Sequence, residues 1–157
     1  MRAAAGFTLV ELLMTVAIMA VLVSVALPAA QIVEQRRKES ELRRALIDIR
    51  QALDAYKRAA DLGRVPTNAG DSGYPPSLEV LVQGVADLRS QTRQKIYFLR
   101  ALPRDPMAVG DGSDVVASWG VRSYASPPDD PQPGADVFDV YSLSSKPGLN
   151  GVPYRLW

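Results

Sequence analysis

The sequence predicts an α+β chain: a long N-terminal helix, one half apolar and one half amphipathic, packed on a small antiparallel sheet head with a short second helix. Three observations carry this expectation. The 22 residues between Glu11 and Glu34 carry no charge. From Gln31 to Asp61, apolar residues recur at three- to four-residue intervals. The 12 prolines and 11 glycines fall mostly after Leu62, with only Gly6 and Pro28 before it. A long helix followed by a turn-rich head accounts for that asymmetry. The 157 residues suffice for one domain plus an anchor.

Composition excludes several classes of function. A formal net charge of +1 argues neither for a nucleic-acid binder nor for an acidic metal buffer. The chain has no cysteine and no histidine. Disulfides, thiol nucleophiles, Cys/His zinc sites and the commonest general base are therefore absent. Seventeen acidic residues leave oxygen-ligand metal sites open.

The first element is the apolar run from Phe7 to Ala30. As a helix its charge-free stretch spans about 33 Å, enough to cross a hydrocarbon core. A secretory signal would place its small residues after the apolar core. Here Ala3-Ala4-Ala5-Gly6 precede it, so a cut at Gly6 would leave the anchor on the mature chain. Glu11 sets a carboxylate into this run, and an uncompensated charge at mid-membrane costs about 2.5–3.5 kcal/mol. A compensating partner is required.

"GFTLVELL" (residues 6–13) resembles the cleavage and N-methylation motif of type IV pilins and type II secretion pseudopilins. The resemblance implies cleavage by prepilin peptidase between Gly6 and Phe7, N-methylation of Phe7, and an assembly role for Glu11. In a filament, Glu11 would pair with the Phe7 amine of an adjacent copy, a strong attraction in an apolar surround. It divides the chain into a leader (1–6), a transmembrane and assembly helix (7–30), its amphipathic continuation (31–62) and a periplasmic α/β head (63–157). Arg36, Arg37 and Lys38 after the apolar run would by charge alone favour a cytoplasmic head; the motif implies the reverse. A plain single-pass anchor is the alternative reading of the same run.

Pro28 would kink a helix. The resemblance makes it a site of bending or unwinding on assembly, against a passive kink in a membrane helix. Further on, Leu42, Ala45, Leu46, Ile49, Leu53, Tyr56 and Ala60 form one apolar stripe. The charged segment Glu34–Arg44 has little stripe and is expected to be exposed. Gly63 supplies a left-handed C-cap, and Pro66 ends the helix.

In the head, Ser77 is the expected N-cap of a short helix whose apolar face is Leu78, Leu81, Val82 and Val85. Arg89, Arg93, Lys95, Arg100 and Arg104 form a basic cluster, either a solvated face or a binding patch. "LPRDP" (102–106) resembles the segment that precedes the sheet in type II secretion major pseudopilins, and Trp119-Gly120 fits the same pattern. Asp105 is expected to brace that turn. Strands are expected at Trp119–Ala125, Val137–Leu143 and Val152–Trp157.

In such pseudopilins a loop after the "YSL" strand holds Ca²⁺. Here "DVYSL" is followed by Ser144-Ser145-Lys146, without the acidic residues a hard cation needs; the usual calcium loop is not matched, and Ca²⁺ stays open as a cofactor. Asp129, Asp130 and Asp136 are the remaining metal candidates, against the simpler reading of solvated turn residues.

The resemblance implies a structural protein, not an enzyme: a G-like major pseudopilin polymerising into a periplasmic filament that drives export by type II secretion. Its partners would be itself, prepilin peptidase, minor pseudopilins, membrane lipid before assembly, and an inner-membrane platform with its ATPase. It would be single-pass in the bacterial inner membrane. The alternative is a type IV pilin or minor pilin for adhesion, motility or DNA uptake. A tethered enzyme built on Ser144–Lys146 is disfavoured, because adjacent turn residues seldom converge on one substrate.

Overall fold

The structure, a computed structural model, describes residues 8–109 and 114–157, with the side chains of 25–29 outside the description. Helix α1 runs from Leu9 to Asp61 and is helical through position 28. The chain divides into two units, Met1–Arg37 and Lys38–Trp157. In the first, every described side chain from Thr8 to Ser24 is exposed.

The second unit is an α+β head of pilin-like type, and its core follows the helical stripe. Leu42, Ala45, Leu46, Ile49, Leu53, Tyr56 and Ala60 are all buried, joined by Ala52 and Ala59. Each buried Leu or Ile contributes about 1.5–3 kcal/mol, so this face is the main attachment of the head. Burial begins earlier than expected. Ahead of the stripe, in the charged segment expected to be exposed, Glu39 is only 6% exposed, because the C-terminal segment covers that turn of the helix.

The helix ends as Gly63 predicts. At φ 64° it allows the Gly63 N–H to donate to Ala60 O (2.8 Å) and the Arg64 N–H to Ala59 O (2.9 Å). This paired arrangement satisfies two of the helix's last carbonyls. Helix α2, Glu79–Gln83, is shorter than expected, and its N-cap is Leu78 without a side-chain cap, not Ser77. A tight Leu81 N–H to Leu78 O bond opens it instead. Leu78 and Leu81 bury beneath it.

Two antiparallel pairs follow. Strand β1 (Val85–Ala86) pairs with β2 (Lys95–Ile96), a hairpin that the sequence reading missed. Strand β3 (Trp119–Arg122) pairs with β4 (Asp139–Ser142) in the register Trp119↔Ser142 to Arg122↔Asp139. Both are shorter than the expected strands. The chain leaves β3 at Ser123 because the Asp136 carboxylate accepts the Ser123 hydroxyl and the Tyr124 N–H. The expected third strand is replaced by a 3-10 turn, Tyr154–Leu156. Pro153 has no N–H for a ladder. It makes only an isolated bridge with Pro147, while the Tyr154 and Arg155 N–H groups donate to Lys146 O and Ser144 O.

Candidate functional site

The first unit presents the candidate site. Leu9, Val10, Leu12, Leu13, Met14, Val16, Ile18, Met19, Val21, Leu22 and Val23 are 54–77% exposed. A helix apolar all round has no polar face for water and must be covered by lipid or by protein. Its hydroxyls are already turned inward: Thr15 donates to Leu12 O at 2.9 Å and Ser24 to Val21 O at 2.7 Å. Polar side chains satisfied by their own helix suit an apolar surround. Among the described residues no helix is long and apolar enough to cross a membrane.

Glu11 stands exposed in the first turn of this helix. Its N–H donates to Thr8 Oγ1 at 3.3 Å, and the Leu12 N–H donates to Thr8 O at 3.2 Å. Thr8 is thus the N-cap and Glu11 sits at the third helical position. The Thr-x-x-Glu spacing of a capping box was available in the sequence and went unread. An anion in the first turn also meets the positive end of the helix dipole. Glu11 therefore has a local role before any partner arrives. Gly6 and Phe7, the processing residues, lie outside the described residues, and so does the side chain of Pro28.

In the head, the polar groups singled out from sequence serve as braces. Asp105 is buried; its carboxylate accepts the Ser142 hydroxyl at 2.6 Å and the Met107 N–H at 2.7 Å. It ties the Leu-Pro-Arg-Asp-Pro turn to β4, while Trp119 Nε1 donates to Pro103 O at 2.8 Å. Asp130 accepts from Gln132 Nε2. For Asp136, burial opposes ionisation most. Hydrogen bonds from Ser72, Ser123 and the Tyr124 N–H outweigh it together and hold the carboxyl below its ordinary value. Among the described residues no group of three or more acidic side chains is placed to hold a metal ion. Asp129, Asp130 and Asp136 are not brought together as a metal site.

Glu39 was missed altogether. Its Oε1 accepts the Leu149 N–H at 2.7 Å and the Tyr154 hydroxyl at 2.9 Å, pinning the C-terminal segment to α1. Arg50 assists from about three turns further along the helix, donating to Asp139 at 2.8 Å and to the carbonyls of Val140 and Trp157 at 3.1 Å. Nothing local in the sequence marks Glu39, because its partners lie 110 and 115 residues away.

No curated protein and no solved structure matches the chain. Residues 1–27, the segment that holds Gly6, Phe7 and Glu11, match the prokaryotic N-terminal methylation motif.

Proposed function

We propose that the chain is a type II secretion pseudopilin: a structural protein whose N-terminal helix, once processed, assembles into a periplasmic filament. One observation carries the reading. A methylation motif at 1–27 opens a helix whose described apolar side chains are exposed on every face, with one carboxylate in its first turn. Before assembly lipid covers that helix. After assembly the same helices of other copies do, and Glu11 meets the N-terminal amine of Phe7 on a neighbour. The pair sets register because either charge alone in that surround is costly. The chain does no chemistry: prepilin peptidase acts on it, and a platform ATPase moves it.

The resemblance of "LPRDP" and Trp119-Gly120 to major pseudopilins supports secretion over a pilus. A type IV pilin shares the processing motif and is the second reading. Intact mass of the protein isolated from its native cells tests the processing step. The reading expects a chain starting at Phe7 and heavier by one methyl group. A chain that retains Met1–Gly6 in cells with an active peptidase contradicts it. Deletion of the gene then separates the two roles: loss of exported proteins from the medium marks secretion, and loss of surface fibres marks a pilus.

A further inference from the structure

The head carries a cleft of about 1210 Å³ bounded by residues 66–76 and 123–136. Asp71 and Asp136 line it, and among the described residues no Lys or Arg does. Lys57, whose side chain lies against Gly73 at the rim, is paired with Asp61. The wall is aromatic. Tyr74 and Tyr124 stack there with centroids 6.1 Å apart; behind them Phe138 meets both rings in T-shaped contacts at 5.0 and 5.4 Å and carries the Arg122 guanidinium over its own ring. Tyr124 is 61% exposed, so the ring is open to a partner. Asp136 is turned to Ser123 and the Tyr124 N–H, whereas Asp71 is exposed, accepting the Asn68 N–H at 2.7 Å; its negative charge in the same cleft as the open Tyr124 ring favours a cation.

The same head presents exposed cations on the β1–β2 hairpin, at Arg89 and Arg93, with Lys95 beside them donating to Gln83 O at 3.2 Å. The acid within the hairpin, Asp87, is already engaged by the Arg64 guanidinium at 2.6 Å and the Arg89 N–H at 3.0 Å. Leu88 and Tyr97, 55% and 63% exposed, flank the cations with apolar surface. Arg93 has φ 50°, a left-handed conformation that glycine or asparagine adopts at less cost. A cation thus sits where the backbone favours another residue, and such strain clusters at functional positions.

We propose that the acidic, tyrosine-walled cleft receives the basic hairpin turn, Arg89–Lys95, of a second copy of this chain. The two surfaces are distinct neighbouring parts of one head, Val85 of β1 lining the cleft, so the contact is heterologous and, in an open filament, propagates from copy to copy. This deepens the filament reading and rests on it: the apolar helices would supply cohesion, and the cleft and hairpin would set the order of the heads.

The test uses the full chain in filament-forming cells. Because the chain has no cysteine, Ala125→Cys on the cleft wall and Gln94→Cys on the hairpin, carried on separate copies, report the contact through a short thiol crosslinker. The crosslink is expected with native charges and is lost with Asp71→Lys on the cleft copy or Arg93→Glu on the hairpin copy. It returns when both changes are present. Arg93→Gly is expected to weaken the crosslink while leaving the thermal midpoint of the protein unchanged or higher. Filaments that form without the crosslink overturn this contact and leave the filament reading standing. Loss with Asp71→Lys that Arg93→Glu does not restore assigns the cleft to another cationic partner and also overturns it. Absence of filaments from the unmodified chain overturns the filament reading, and this contact with it.

Discussion

Gly120 faces Tyr141 across the β3–β4 ladder, and an added Cβ there would lie 2.3 Å from the tyrosine ring. A side chain at 120 must push the ring off the sheet. Gly120→Ala is therefore expected to destabilise the head by about 1–3 kcal/mol, the usual cost of overpacking, read from chemical denaturation. Asp87 carries the clearest electrostatic consequence. Its hydrogen bond from Arg64, then that from the Arg89 N–H, hold its carboxyl below the ordinary aspartate value of 3.8. A depressed carboxyl stabilises the fold fully above that value and loses the contribution as pH falls below it. Thermal melts should show Asp87→Asn less stable than the native chain at neutral pH, with the gap closing in acid. A gap that widens in acid would contradict the assignment.

Among the elements, α1 was the most legible. Its stripe obeys one period over about five turns, so the seven apolar positions from Leu42 to Ala60 could be read from spacing alone, and Gly63 marked the helix end. Short and non-local features were not legible. A two-residue strand such as β1 has no periodicity, and Val152–Trp157 alternates like a strand although Pro153 denies it a ladder. Thr8 shows a third case: the capping signal was present but hidden behind the stronger apolar pattern. Glu39 looked like one more charge in a solvated turn, yet it fastens the C-terminal segment to α1. Glu39→Ala removes the acceptor of the Leu149 N–H and one acceptor of the Tyr154 hydroxyl, at a cost of about 1–3 kcal/mol. Hydrogen exchange should rise across residues 144–157 while residues 45–56 stay protected. Glu39→Gln keeps an acceptor and should retain most of that protection.

At the scale of the molecule, the chain combines a folded head with an apolar helix whose described side chains are exposed. The head closes its own polar contacts: Asp105 with Ser142, Arg50 with Asp139, Arg64 with Asp87. In the N-terminal unit the side chains from Leu9 to Val23 are exposed, and the single carboxylate of that stretch sits at its very start. That division of labour fits the proposed filament subunit. Glu11 is the residue on which the reading turns, and the most direct measurement is filament assembly by Glu11→Ala in cells that still process the chain at Gly6. Electron microscopy and crosslinking are expected to show the processed variant accumulating in the membrane without filaments. Normal filaments from that variant would contradict an assembly role for Glu11, leaving its carboxylate only the local task of starting the helix.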